Sequence, residues 1–125
     1  MNSNRFSLKL RFGSLKFAFD GLWSLLKNEH NSRIHLLAAI VAIITGIILK
    51  INLSEWCMLT IVIGIVFISE LLNTSLETIA DLVDPEWNER IRKVKDYAAA
   101  AVLISALISV VVGGLIFIPK ILDLI

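Results

Sequence analysis

From Leu53 to Val83 the chain runs for about 30 residues with no proline to stop a helix, roughly 45 Å at the helical rise. The hydrocarbon layer of a bilayer is about 30 Å thick, so an apolar helix of this length crosses it with one end left over. The rest of the chain agrees: 57% of its 125 residues are hydrophobic and the mean hydropathy is +0.81, far from the averages of soluble domains. The sequence therefore reads as one integral-membrane domain over residues 1–125, all α-helical.

The left-over end carries the chemistry. Ser69-Glu70-Leu71-Leu72-Asn73-Thr74-Ser75-Leu76-Glu77-Thr78-Ile79-Ala80-Asp81 continues the apolar run and then brings in three carboxylates and an amide. At about 100° per residue, Glu70, Asn73, Glu77 and Asp81 fall in one sector about 80° wide. Ionisable groups in a membrane helix are costly and face a bundle interior or a wet cavity, because lipid cannot solvate them. The plainer alternative is an interhelical polar clamp or a solvated helix end, but three carboxylates and an amide exceed what helix association needs.

Taken in order, residues 5–27 set Phe6, Leu10, Leu15, Phe17, Leu22, Leu25 and Leu26 among Arg5, Lys9, Arg11, Lys16 and Lys27. This predicts an amphipathic surface helix lying on the membrane, or two short pieces bent at Gly13 and Gly21. These charges leave no continuous apolar core for a cleavable signal peptide. Three spans are expected, at about 34–51, 53–83 and 97–118, the last holding the uncharged run Ala98–Ile118. Ala38, Ala42 and Gly46 form one ridge of small residues, and Ala101, Ser105, Ser109 and Gly113 form another, both suited to close helix packing. Between the first two spans Ser54 is the expected helix cap. Asp84-Pro85 stops the second span, residues 86–96 follow as a charged loop or helix start, and Pro119-Lys120 ends the third. Cys57, the one cysteine, sits in an apolar run and allows no disulfide within the chain. His35 reads as an interfacial hydrogen-bonding residue rather than a metal ligand, since only His30 stands near it.

Lys and Arg are unevenly distributed. Six precede the first span and four lie between the second and third, against Lys50 and Lys120 on the other side. By the positive-inside rule the amino terminus and the second loop are cytoplasmic. Glu29, Glu70, Glu77, Asp81, Lys95 and Asp96 then gather on the side where ATP is found. Residues 53–69 cover about 25 Å, which puts Glu70 at the depth of a lipid head group. Glu29 and Glu77, on different helices, suit a Mg²⁺ ion that also holds substrate phosphates and waters. Glu70 is placed to accept a proton from a lipid hydroxyl, and Lys95 to neutralise charge on a transferred phosphoryl group. No phosphate-binding glycine loop is present. A transporter or proton-relay subunit is the competing class, although spans one and three carry no charge to complete a path.

Glu70-Leu71-Leu72-Asn73-Thr74-Ser75-Leu76-Glu77, Asp81, Lys95-Asp96-Tyr97-Ala98-Ala99-Ala100-Ala101-Val102 and Asn28-Glu29 together resemble the small prokaryotic diacylglycerol kinase and undecaprenol kinase family. The resemblance covers nearly the whole chain. It implies a homotrimeric lipid kinase of the bacterial inner membrane, with three spans and a surface helix per chain and MgATP bound at sites shared between subunits. It makes Glu70 the catalytic proton acceptor and Glu29 and Glu77 the metal ligands. Glu29, Asn73, Glu77, Glu86, Lys95 and Asp96 become the ATP-binding set, with Asp81 supporting. Asn88 departs from a histidine that some members carry nearby. His35 and Gly114-Leu115-Ile116-Phe117-Ile118-Pro119-Lys120 resemble the undecaprenol kinase branch, so undecaprenol is the expected substrate and diacylglycerol the alternative.

Overall fold

A computed structural model describes residues 7–84, 86 and 88–125. Its four helices are α1 (Leu8–Asn28), α2 (His30–Ile48), α3 (Leu53–Val83) and α4 (Glu89–Leu122). The last three are long and apolar enough to cross a membrane. Helix α1 packs against α2 and α3, α2 against α3, and the most extensive contact is between α3 and α4. Most large apolar side chains on the long helices remain exposed, among them Ile40, Ile61 and Leu107. In water such a surface would aggregate; in a bilayer it meets lipid or other helices.

Helix α1 is continuous through Gly13 and Gly21, so the bent alternative does not occur. Apart from the neighbouring residues and the helix's own backbone, no atom lies within 4 Å of a Cβ placed on either glycine, and neither serves a close approach to another element. Arg5 and Phe6 of the expected surface helix lie outside the described residues. The helix stops at Glu29, whose backbone is extended while its N–H still bonds to Leu25 O at 2.9 Å.

The α2–α3 connection is built from backbone hydrogen bonds. Lys50 takes the left-handed conformation (φ 52°), its N–H bonds to Ile47 O, and the Ile51 N–H reaches back to Gly46 O at 3.1 Å. This is a Schellman closure, with lysine where glycine is usual at a conformational cost of roughly 1–2 kcal/mol. Ile51 offsets that cost by burial: it is 6% exposed and joins Leu59, Val62 and Ile116 in the core cluster. Gly46 permits this closeness, since a Cβ there would sit 3.0 Å from both Ile51 Cδ1 and Trp56 Cη2.

Two boundary expectations are corrected. The cap of α3 is Asn52, not Ser54: Asn52 Oδ1 accepts from Glu55 N at 3.0 Å and Glu55 Oε2 accepts from Asn52 N at 2.8 Å. Asn52 holds the extended backbone a cap requires, whereas Ser54 is already inside the helix. At the other boundary, Pro119-Lys120 does not end α4, which runs on to Leu122. Proline removes its own bond to the preceding turn, but its carbonyl still accepts from Asp123 N at 3.0 Å, and Lys120 is held by Glu55 at 3.2 Å.

Helix α3 ends on Asp84, whose N–H bonds to Ala80 O at 3.1 Å; Pro85, the expected stop, lies outside the described residues. Most of the charged stretch 86–96 is helix, because Asn88 caps α4 by accepting from Arg90 N at 2.9 Å. The α4 ridge faces α3, with Ser105 buried and Ser109 Oγ donating to Val62 O at 3.5 Å.

Candidate functional site

The stripe on α3 passes from water to interior. Asp81 is exposed, Glu77 and Asn73 are half-buried, and Glu70 retains 3% of its accessible surface. A carboxylate taken out of water must find compensation. Glu70 finds it on α2: Ser32, fully buried, donates from Oγ to Glu70 Oε2 at 3.3 Å. His35 Nε2 lies 3.2 Å from Oε1 without forming a hydrogen bond to it. Oε2 therefore accepts a hydrogen bond, whereas Oε1 is a buried acceptor whose polar neighbour, His35, makes only an ion-pair contact. Ser32 and His35 stand three apart on α2 and so share a face.

Two more acceptors on α3 share this condition, as Asn73 Oδ1 and Thr74 Oγ1 are buried without a hydrogen-bond partner. Asn73 also lines a cleft between α3 and α4 with Ser69, Leu76, Val94 and Tyr97. Buried polar atoms are almost always satisfied in native proteins, so three unpartnered polar atoms within five residues of α3 single out this part of the stripe. Below His35 an apolar cleft of about 250 Å³ opens among α2, α3 and α4, lined by Ala38, Ala42, Val66, Phe67 and Ser109.

At the polar end of the stripe Lys95 of α4 donates to Asp81 Oδ1 of α3, tying the two helices together. Glu77 also acts on the Lys95 ammonium through space. Asp81, Glu86, Arg92 and Lys95 surround a polar cleft of about 210 Å³ at the α3–α4 loop. Glu86 is exposed there, its N–H held by Asp84 Oδ1 at 3.1 Å. Asp96 lies 3.9 Å from Arg92 Nε along α4. Glu29 is half-buried at the α1–α2 break and caps α2 with no side-chain bond, which leaves its carboxylate available.

The structure thus joins Asp81 to Lys95 and sets Glu77 near both, while Glu70 turns toward α2. Among the described residues no three of His, Cys, Asp and Glu converge to hold a metal unaided. Magnesium needs no such cage, since one or two carboxylates suffice when phosphates and waters fill the other positions. Ser32 was not singled out in the sequence. Its spacing from His35 was the available signal, but only the packing of α2 on α3 reveals what that face meets.

The model of the family described as prokaryotic diacylglycerol kinase matches residues 16–117. An undecaprenol kinase from Bacillus subtilis (strain 168) is 36% identical over 117 residues, 94% of this chain and 95% of that protein. A diacylglycerol kinase from Synechocystis sp. is 34% identical over 112 residues, 89% of this chain and 64% of that protein. One from Escherichia coli (strain K12) is 27% identical over 95 residues, 76% of this chain and 78% of that protein. With the family match spanning all of α2 and α3 and most of α4, the chain belongs to the prokaryotic diacylglycerol kinase family and is a lipid kinase.

Proposed function

We propose that this membrane kinase transfers the γ-phosphoryl group of MgATP to undecaprenol, with Glu70 as the proton acceptor. One observation carries the reading: a buried carboxylate with one oxygen free of hydrogen bonds, at the membrane end of a polar stripe that leads to water. A hydroxyl presented at the head-group level can give its proton to that oxygen as it attacks phosphorus. Diacylglycerol is the alternative acceptor. Undecaprenol is favoured because the undecaprenol kinase aligns over nearly the full length of both chains, and at higher identity than the diacylglycerol kinases compared.

The remaining residues divide the nucleotide between them. Glu29 and Glu77 would hold Mg²⁺, whose charge offsets that of the nucleotide phosphates when it is bound. Asn73 offers its unpartnered amide oxygen to the same region. Lys95 supplies positive charge to the transferred group and is kept in place between turnovers by Asp81. Glu86 and Asp96 contact the nucleotide from the loop and from the first turns of α4. Helix α1 lies on the membrane surface, with the amino terminus and the site on the cytoplasmic side of a bacterial inner membrane. Three chains assemble, so that sites draw on neighbouring subunits.

The test is radiolabel transfer from ATP to undecaprenol and diacylglycerol offered in competition in mixed micelles, with and without magnesium. Undecaprenyl phosphate should dominate and vanish with the metal. Preferential labelling of diacylglycerol assigns the alternative. Mixing inactive Glu70→Gln chains with inactive Glu29→Gln chains should restore activity if one site draws on two chains; silence after verified mixing confines each site to a single chain.

A further inference from the structure

We propose that Ser32 and His35 of α2 are positioning residues that divide the two oxygens of Glu70, one held and one reactive. The inference rests on Glu70 being the proton acceptor. Its warrant is the asymmetry of the carboxylate: Oε2 accepts from Ser32 Oγ at 3.3 Å, whereas Oε1 has no hydrogen bond and stands 3.2 Å from His35 Nε2.

A carboxylate with no anchor rotates about its last torsion, which has a broad minimum, and presents either oxygen in any direction. One donor on Oε2 removes that freedom and leaves the lone pairs of Oε1 aimed at a single place. Ser32 suits the task because it is fully buried, so no water competes for its hydroxyl, and because its short side chain has few other conformers to visit. His35 Nε2 stands 3.2 Å from Oε1 as an ion-pair neighbour without a hydrogen bond to it. It restricts the space beside the reactive oxygen and offers a polar neighbour to the carboxyl group once that group has taken the proton. In the step itself the lipid O–H bond breaks and its proton passes to Oε1. The lipid oxygen bonds to the γ-phosphorus, and the bond to the bridging oxygen breaks with its electron pair leaving on ADP.

A positioning pair should affect turnover rather than binding, because both residues act through the Glu70 carboxylate. The experiment is steady-state phosphate transfer in mixed micelles by Ser32→Ala, His35→Leu, His35→Gln and Glu70→Gln chains and by the Ser32→Ala/Glu70→Gln double variant. Ser32→Ala should lower kcat by about 10- to 100-fold, the usual scale for a lost hydrogen bond to a charged group, with both KM values nearly unchanged. His35→Leu should lower kcat by about 10-fold, and His35→Gln should recover part of the loss by restoring a polar group of similar reach. In the Glu70→Gln background, removing Ser32 should cost nothing further, since its effect runs through the carboxylate.

Wild-type kcat in Ser32→Ala would overturn the proposal, as would a loss confined to KM or an undiminished Ser32 effect in the Glu70→Gln background. If His35→Leu does not fold, equal kcat for His35→Gln and wild type together with wild-type kcat in Ser32→Ala overturns it instead. Full activity of Glu70→Gln would overturn the proton-acceptor reading itself. A silent Glu70→Gln beside an unaffected Ser32→Ala overturns only the positioning inference.

Discussion

The two ends of the α3 helix treat polar groups in opposite ways. At the end joined to α2, Asn52, Glu55 and Lys120 satisfy one another through a capping box and an ion pair, and backbone bonds close the turn around Lys50. At the other end Glu70 Oε1, Asn73 Oδ1 and Thr74 Oγ1 are buried without hydrogen-bond partners. Both ends are polar, but only the second is incomplete. Stability alone would favour completing every such group, so the contrast separates polarity that holds the fold from polarity the fold leaves unspent, which the proposed function assigns to substrate.

The largest expected effect comes from breaking the incomplete end. Glu70→Gln should lose about 10²- to 10⁴-fold in turnover, the usual cost of removing a general base, with MgATP binding nearly unchanged. Glu77→Gln should instead weaken MgATP binding and raise the magnesium requirement. Titrating MgATP against both variants decides the matter, and the reverse pattern would exchange the roles of base and ligand.

The complete end should respond in stability and not in turnover. Gly46→Ala places a methyl group 3.0 Å from Ile51 Cδ1 and Trp56 Cη2, and overpacking of this kind costs about 1–3 kcal/mol. Thermal unfolding in detergent should show a lowered midpoint, whereas kcat of the surviving protein should match wild type. A milder change is Asn52→Ala, which removes the cap of α3 at a cost of about 1 kcal/mol. A fall in kcat with no change in the unfolding midpoint, for either variant, would erase the distinction between the two ends.

The smallest effect is expected at Asp81, which lies on the active side but is exposed and already partnered by Lys95. Solvent screens such a pair, so Asp81→Asn should change KM for MgATP by less than about threefold. A much larger change would move Asp81 from support into direct contact with nucleotide.

The helical class and the three apolar helices were legible in the sequence because a bilayer permits so few ways to satisfy a backbone. The family was legible because Glu70, Asn73 and Glu77 keep a fixed spacing on one helix face. What escaped was decided between helices or by competition within a turn. Ser32 became visible only when α2 packed on α3. Ser54 and Asn52 are both good caps, and the contest went to the residue with Glu55 three places on. Pro119 reads as a terminator, yet in the final turn it removes only its own bond, too little to end α4.

The closure around Lys50 also bears on how the chain enters a membrane. A turn of four residues, pinned by the Ile51-to-Gly46 bond, joins α2 and α3 as a helical hairpin that can insert as a unit. Its tip carries one basic and one acidic residue, Lys50 and Glu55, and so has no net charge. The basic residues Arg33, Arg90, Arg92, Lys93 and Lys95 flank the hairpin at its opposite end, the distribution that the positive-inside rule assigns to the side not crossed. Because Lys120 of α4 meets Glu55 beside that tip, the ion pair requires α4 to lie along α3 as far as its last turn, which makes it a latch between the hairpin and the third long helix.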